Sequence, residues 1–276
     1  MPEPQWLHRL EDRNNLVHSA GMLARKWSAS AADRRIESWA RKNYSKNPGE
    51  LSQWRDRYTG QRCFILATGP SLTISDCEKL GNEYTFGMNS LTRIFKDTDW
   101  RPSFYGIQDW NVYRNIADTM EELRGIPKFF SDDIIRNDPS ALQMKLVVPF
   151  VVNAAYHRYS MYTHEYFARF SERPDIITYD GYTITYSLLE IAVFLGFKEI
   201  YLLGADCDYS GSHQHIVESG NFVGQADFSE VTKRLFAAYR TADEYCRLHG
   251  VQIFNATRGG KLEIFPRVDL DKVVSA

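Results

Sequence analysis

The sequence predicts an α/β protein with a mostly parallel sheet and helices on both of its faces. Short apolar segments alternate with helical ones after residue 60, and two long amphipathic segments, 183–196 and 229–249, each end at or just before a glycine that precedes the next apolar segment. That order is typical of right-handed crossovers between parallel strands. The strand candidates are residues 63–67, 84–88, 103–108, 127–131, 145–149, 199–204 and 251–254.

Two regions depart from this alternation. Residues 1–58 carry no strand signal and place Trp and Leu at loose helical spacing among many charges, so we predict an N-terminal helical segment before a nucleotide-binding domain at 59–276. Residues 131–175 are rich in Tyr, His and Arg, which favours a lid-like insertion over the carboxyl edge of the sheet. The basic residues of the N-terminal segment fit a solvated helix face or a contact with an anionic surface.

Composition limits the classes of function. The 276 residues include 33 basic and 35 acidic ones, and a net charge of -2 gives no overall attraction to nucleic acid or to an anionic membrane. The four cysteines have no paired spacing, so we expect reduced thiols rather than disulfides or a zinc site. We expect a cytoplasmic protein, since the sequence shows neither a signal peptide nor an apolar stretch of about 20 residues.

The junction after the first strand is the strongest local signal. Residues 62–72 read RCFILATGPSL, so a strand buried on both faces runs into a turn made by Thr68, Gly69, Pro70 and Ser71. Glycine lets a ligand approach the backbone, and Pro70 suits the first turn of a helix, whose unpaired N–H groups attract anions. The turn predicts a phosphate-bearing ligand, and a plain strand-to-helix turn is the alternative.

Polar side chains also follow the second and third strands. Asn89 closes the second strand, and Gln108 and Asp109 close the third. Because ligands of open α/β sheets bind beyond the carboxyl ends of the strands, we expect these groups to converge with the Gly69 turn. Asn89 and Asp109 are also good helix caps, and that interpretation stays open.

Charged residues follow the two last strands. Gly204 is followed by Asp206 and Asp208, an Asp-x-Asp string that can hold Mg²⁺ on a nucleotide diphosphate, although Asp206 could instead orient a neighbouring group. Arg258 and Lys261 flank two glycines, as in a phosphate clamp or a surface loop.

Two histidines lie close together beyond the strand candidate 199–204. His213 and His215 belong to the string Ser-His-Gln-His, and a neutral imidazole there could take a proton from an acceptor hydroxyl. A metal pair and a functionless polar loop are the alternatives.

Several strings resemble a bacterial family found with surface-polysaccharide genes and described as 6-hydroxymethylpterin diphosphokinase-like. They are RCFILATGPSL, FGMNS, GYTITY, LGFKEIYLLGAD and NATRGGKLEIFPRVD, and the resemblance covers most of residues 60–270. The framework is more distantly similar to the family-42 bacterial sialyltransferases. That similarity implies a single Rossmann-like, GT-A-like fold, a CMP-sugar donor, a histidine base and chemistry that needs no metal.

The resemblance also implies site residues. His215 is the first choice for the base, with His213, His157 and His164 as its competitors, while Tyr209 is the nearest counterpart of the tyrosine that helps the leaving phosphate. Ile184 and Thr185 replace the serine and glycine of those enzymes after Thr183, and the donor sugar therefore differs or is held differently. The expected nucleotide-binding residues are Thr68, Gly69, Pro70, Ser71, Asn89, Gln108, Asp109, Thr183, Gly204 and Asp206.

We therefore predict an enzyme of surface polysaccharide or lipopolysaccharide synthesis. It would move a CMP-activated, sialic-acid-like sugar onto a glycan or glycolipid, with no nucleic-acid partner. Two alternatives are phosphoryl transfer, with Mg²⁺ on Asp206 and Asp208, and a non-catalytic nucleotide-binding partner in polysaccharide assembly. Contact with the inner face of the membrane and self-association both stay open.

Overall fold

A computed structural model describes residues 5–44, 50–163, 166–208 and 228–275. Its central sheet has the strand order β5-β4-β3-β2-β1-β8-β9, and all neighbouring strands are parallel. A small parallel pair, β6 with β7, lies beside it. The strands are β1 Arg62–Leu66, β2 Tyr84–Met88, β3 Phe104–Ile107, β4 Lys128–Ser131, β5 Val147–Phe150, β6 Val152–Asn153, β7 Thr178–Tyr179, β8 Glu199–Leu203 and β9 Gln252–Asn255.

The predicted parallel α/β sheet is confirmed. Each of the seven strand candidates forms a strand of the central sheet, displaced by no more than two residues, and the two predicted crossover helices are α6 and α7. The helices are α1 Gln5–Tyr44, α2 Ile74–Lys79, α3 Trp110–Asn115, α4 Asp132–Asn137, α5 Ala155–Thr163, α6 Ile184–Phe194, α7 Phe228–Leu248 and α8 Leu270–Val274. Short 3-10 segments are Glu50–Trp54, Asn89–Ile94, Ala117–Leu123 and Pro139–Gln143.

The continuous apolar run of β1 follows from burial on both faces. Cys63 and Ile65 face the core shared with α6 and α7, whereas Phe64 and Leu66 face the core shared with α2, α3, α4 and α8. All four residues are fully buried, so both alternating positions of the strand have to be apolar. The four cysteines of the chain are buried free thiols, as the sequence predicted.

The helix α1 is attached to the sheet domain by a buried charged group. Asp33 is 4% exposed and accepts hydrogen bonds from Arg169 Nη1 at 2.8 Å and Asn153 Nδ2 at 2.8 Å. One and two turns further along, Ile36 and Ala40 join a small apolar cluster with Ile177 and its neighbours. Among the described helices none is long and apolar enough to cross a membrane. The boundary at residue 58 and the lid at 131–175 stay predictions, although β5 within that range belongs to the central sheet.

Glu190 is a fully buried carboxyl group in the middle of α6. It accepts hydrogen bonds from the backbone N–H groups of Ser171 and Tyr179, at 2.8 and 3.0 Å, and so holds the loop that precedes and includes β7. Burial raises the pKa of Glu190 well above its ordinary value, because the charged form loses its hydration. The folded protein therefore favours the neutral carboxyl group.

We predict that Glu190→Gln removes a pH-dependent cost to stability. The pKa of Glu190 is higher in the folded than in the unfolded protein. The contribution of its neutral carboxyl group to the free energy of unfolding is therefore fully present below the unfolded pKa, and it is lost as the pH rises through the folded pKa. Gln keeps an oxygen acceptor and cannot ionise. The free energy of unfolding is measured in urea from about pH 4 to about pH 8, a range that begins where carboxyl groups titrate. The variant should become more stable than the wild type as the pH rises.

Glu190→Ala is the matched control for this prediction. It leaves the two N–H groups without their acceptor and should be less stable than Glu190→Gln by about 1–3 kcal/mol at any pH, since neither side chain ionises. If the free energies of unfolding of Glu190→Gln and the wild type differed by the same amount at every pH, ionisation of Glu190 would not be the cost that we assign to it.

Candidate active site

A large cleft opens at the carboxyl edge of the sheet. Its volume is about 1020 Å³, and the ends of four neighbouring strands form its floor. Thr68 follows β1, Asn89 follows β2, Gln108 follows β3 and Ser131 ends β4. Asp109 and Thr183 also line the cleft. The structure thus brings together those predicted residues that the sequence placed at β2 and β3, with one residue of the Gly69 turn.

Asn89 has a left-handed backbone, with φ of 49°. Asn tolerates this conformation better than most residues, and such strained positions concentrate at functional sites. Its carbonyl accepts a hydrogen bond from the hydroxyl group of Tyr105 in β3 at 2.5 Å, and this bond holds the turn in place. The 3-10 segment that starts here has no side-chain cap. Asp109, by contrast, caps α3 by accepting from Asn111 N and Val112 N.

A histidine and an aspartate are paired at the inner end of the cleft. His157 of α5 and Asp180, the residue after β7, both line it, and His157 Nδ1 lies 2.5 Å from Asp180 Oδ2. The side chain of Asp180 is 7% exposed and that of His157 is 32% exposed. An imidazole that donates Nδ1–H to a carboxylate presents Nε2 as a proton acceptor. The pair therefore has the arrangement of a general base and its orienting group.

Asp180 is held in place by two further donors. Its Oδ1 accepts from Tyr182 N at 2.8 Å and from Gln108 Nε2 at 3.4 Å. Gln108 is itself oriented, because its Oε1 accepts from Ser187 Oγ at 2.7 Å. Tyr182 has φ of 69°, a left-handed conformation in the turn that directs its N–H to the carboxylate. A continuous hydrogen-bonded chain thus runs from α6 through Gln108 to the histidine.

The turn after β1 is packed against the turn after β8. Gly69 N donates to Gly204 O at 2.9 Å, and Ser71 Oγ donates to Asp206 Oδ2 at 2.8 Å. The Asp206 carboxylate thus lies where the sequence analysis placed a phosphate. Helix α2 begins at Ile74 and not at Pro70, because Thr73 and not a residue of the turn provides the N-cap. The expectation of a helix starting at Pro70 was wrong.

The predicted phosphate clamp has carboxylate partners within the protein. Arg258 donates to Asp76 Oδ1 at 2.7 Å and to Ser71 O at 2.8 Å, while Lys261 Nζ lies 2.8 Å from Asp208 Oδ1. None of the residues Gly69, Pro70, Ser71, Gly204, Asp206, Asp208, Arg258 and Lys261 lines the cleft. Their roles in nucleotide, phosphate or metal binding stay predictions. Within the described ranges no three His, Cys, Asp or Glu residues are grouped to hold a metal ion.

The three residues predicted as catalytic, Tyr209, His213 and His215, lie outside the described residues. No role for Asp180 was predicted from the sequence, and His157 was named only as a competitor of His215 for the base. One signal was available: Asp180 directly follows Ile176, Ile177, Thr178 and Tyr179, a run of β-branched and aromatic residues typical of a strand, so it stands at a strand end. The pairing of His157 with it depends on the tertiary structure.

The structure has a Rossmann-like, GT-A-like α/β fold. The match that supports this is the MAf glycosyltransferase from Magnetospirillum magneticum AMB-1, with 17% identity and a TM-score of 0.52, over 83% of this chain and 38% of that one. The chain thus spans about two fifths of the length of that protein. Residues 40–212 match the family model of 6-hydroxymethylpterin diphosphokinase MptE-like proteins, and the chain belongs to this family.

A second group of structures is more distant. The sialyltransferase CstII from Campylobacter jejuni in complex with cytidine-5′-monophosphate aligns at 13% identity and a TM-score of 0.48, over 77% of this chain and 86% of that one. The same enzyme with a trisaccharide acceptor and CMP aligns at 13% identity and a TM-score of 0.38, over 75% and 86%. Comparison with curated proteins gave no match.

We predict that Gly69→Ala destabilises the protein. A Cβ at this position would lie 1.9 Å from Asp206 Oδ2 and 2.3 Å from Gly204 O, so the two turns have to separate. Overpacking of this kind costs about 1–3 kcal/mol, and more where backbone has to move. Thermal unfolding monitored by circular dichroism measures the loss.

Gly81→Ala is the control, since its Cβ would meet only the Glu78 carbonyl at 3.5 Å. This variant should unfold within a few degrees of the wild type. If Gly69→Ala unfolded at the same temperature as Gly81→Ala, close packing of the two turns would not explain the glycine.

Proposed function

We propose that the protein is a glycosyltransferase that moves a CMP-activated, sialic-acid-like sugar onto a hydroxyl group of a surface glycan or glycolipid. The observation that carries the proposal is the His157–Asp180 pair, which lies in a cleft of about 1020 Å³ at the carboxyl edge of the sheet. Transfer to a hydroxyl group needs a base beside the donor site, and this pair supplies one. The fold shared with a glycosyltransferase supports the same class.

In the proposed reaction, the acceptor hydroxyl oxygen attacks the anomeric carbon of the donor sugar. His157 Nε2 takes the hydroxyl proton as the new C–O bond forms, and the bond to the phosphate breaks with its electron pair leaving on CMP. Asp180 stabilises the resulting imidazolium and keeps the ring oriented. Direct attack from the side opposite the phosphate inverts the anomeric configuration.

The nucleotide has a favourable place on the floor of the cleft. Asn89 provides an amide group there, and Thr183 begins α6, a helix of 11 residues whose N-terminal end carries the positive end of its dipole. Thr68 adds a hydroxyl group on the opposite side. These groups suit a phosphate and a ribose next to the proposed base.

Phosphoryl transfer is the second candidate, because the family model that matches the chain is described as a diphosphokinase-like one. It would use Mg²⁺ on Asp206 and Asp208, with Arg258 and Lys261 near the transferred group. In the described structure, Asp206 accepts from Ser71 and Asp208 pairs with Lys261, so this reaction would require those contacts to open. Glycosyl transfer requires no such change.

We predict that CMP and CTP raise the unfolding temperature of the full chain more than ATP or GTP do, with or without Mg²⁺. The reason is the amide group of Asn89, which lines the cleft with the first residues of α6 and suits a small base next to a phosphate. A thermal-shift panel of CMP, CTP, CDP, UDP, GDP, GTP and ATP measures it. Larger shifts with ATP that depend on Mg²⁺ would favour phosphoryl transfer instead.

We also predict that His157→Ala lowers the rate of sugar transfer, or of donor hydrolysis by water, by about a hundredfold or more. The affinity for CMP should stay nearly unchanged, because a base acts mainly in the transition state. CMP-sialic acid is the donor used in the assay.

His215→Ala and His213→Ala are tested beside it, since His215 is the base that the sequence analysis proposes. His249→Ala is the control, because His249 is exposed at the end of α7 and does not line the cleft. If His157→Ala kept full activity and His215→Ala lost it, the general base would be His215, in the segment beyond β8, and not His157.

A further inference from the structure

The N-terminal helix forms one wall of the cleft. Arg35, Ile36 and Trp39 of α1 line it, whereas the opposite wall comes from α3 and α4. Arg35 and Trp39 are one helical turn apart and therefore share one side of the helix. The parallel sheet and its crossover helices are complete without α1, so this wall is an addition to the fold.

The position of α1 is fixed on both sides of these residues. Asp33 and Glu37 both pair with Arg169 Nη1, at 2.8 and 3.0 Å, and the Arg169 guanidinium lies 4.2 Å from the centre of the Tyr179 ring. Asn153, which also donates to Asp33, belongs to β6 beside the His157–Asp180 pair. Buried pairs of this kind set the rotation of a helix, because removing one partner leaves a charge without compensation. The side of α1 with Trp39 is thereby directed to the cleft.

The wall has the chemistry of a sugar-binding surface. Trp39 is 50% exposed where it lines the cleft, and Arg136 and Asp133 stand on the wall of α4. A half-exposed indole offers a flat apolar face to the C–H side of a pyranose ring. The guanidinium and carboxylate groups of the α4 wall can donate to and accept from ring hydroxyl groups.

The charge of the cleft selects among carbohydrate and other ligands. Four aspartates and two arginines line it, which gives a formal charge of 2 − 4 = −2 with His157 neutral; they are Asp109, Asp132, Asp133, Asp180, Arg35 and Arg136. Away from the N-terminal end of α6, where the donor phosphate would lie, these carboxylates would repel an anionic ligand. Burial also raises the pKa of Asp132, although Val152 N donates to its carboxylate. A neutral glycan meets no such repulsion.

The volume of the cleft is at the upper end of the range of small-molecule sites. Sites for single small molecules have volumes of about 300–1,000 Å³, and this cleft has about 1020 Å³. A nucleotide sugar on the floor beside Asn89 would leave the space between α1 and α4 open. His157, the group that would receive the acceptor proton, lines the same cleft and belongs to α5, which packs against α1.

We infer that the space between α1 and α4 is the acceptor subsite, and that it binds the terminal sugar of a neutral, hexose-terminated glycan stacked on Trp39. The N-terminal helix is thus the element that selects the acceptor. This inference rests on the proposed glycosyltransferase function.

Binding of the full chain to an array of neutral and sialylated glycans, in the presence of saturating CMP, tests the inference. The wild type should bind neutral hexose-terminated glycans, and Trp39→Ala should lower the signal by about tenfold or more, as truncation of a central tryptophan does at other interfaces. Trp39→Phe should keep part of the binding because it retains a ring. The CMP-induced rise in unfolding temperature should be equal in all variants.

Trp27→Ala is the matched control, since Trp27 is a 76% exposed tryptophan of the same helix that does not line the cleft. It should bind glycans like the wild type. Equal binding by Trp39→Ala and the wild type, equal loss in Trp27→Ala, or no binding of neutral glycans by the wild type would each overturn the subsite. If glycan binding depended on Trp39 but CMP did not stabilise the protein, the acceptor subsite would be supported and the CMP-sugar donor would be refuted.

Discussion

The Asp180 carboxylate is the group on which the rest of the site depends. Its Oδ2 is hydrogen-bonded to His157 Nδ1, and its Oδ1 accepts from Tyr182 N and Gln108 Nε2. These bonds connect α5, the turn before α6 and the end of β3. A nearly buried carboxylate is costly unless donors surround it, and here each donor is itself fixed by the fold. The histidine is therefore oriented by the sheet and α6 together, rather than by its own short helix.

A second constraint closes the crevice between β1 and β8. The strand order reverses at this pair, which is where open α/β sheets commonly bind ligands. In this chain Asp206 contacts Ser71 there, and Gly260 leaves no room for a Cβ beside the Asp206 backbone. The described cleft lies instead over β1 to β4. The glycine at 69 is thus explained by the close approach of two turns, independently of any ligand.

Much of the fold could be predicted because local pattern and tertiary environment agree. The unbroken apolar run of β1 is what burial on two faces requires, and the glycines after α6 and α7 allow the positive φ values of 100° and 65° at those helix ends. The site is different. His157 and Asp180 are 23 positions apart in a region without regular periodicity, and only β6 paired with β7 brings them together. Asp206 was predicted to bind a ligand because sequence does not show that Ser71 is its partner.

The helix α1 joins these two parts of the structure. Its buried Asp33 binds Asn153 of β6, the strand whose partner β7 leads directly to Asp180. The wall that would select the acceptor and the carboxylate that would orient the base are therefore supported by the same pair of short strands. Because Arg169 contacts both Asp33 and the ring of Tyr179, the residue before Asp180, a shift of α1 would move the proposed base as well. In the proposed reaction, acceptor binding at α1 and proton transfer at His157 would therefore be linked through β6 and β7.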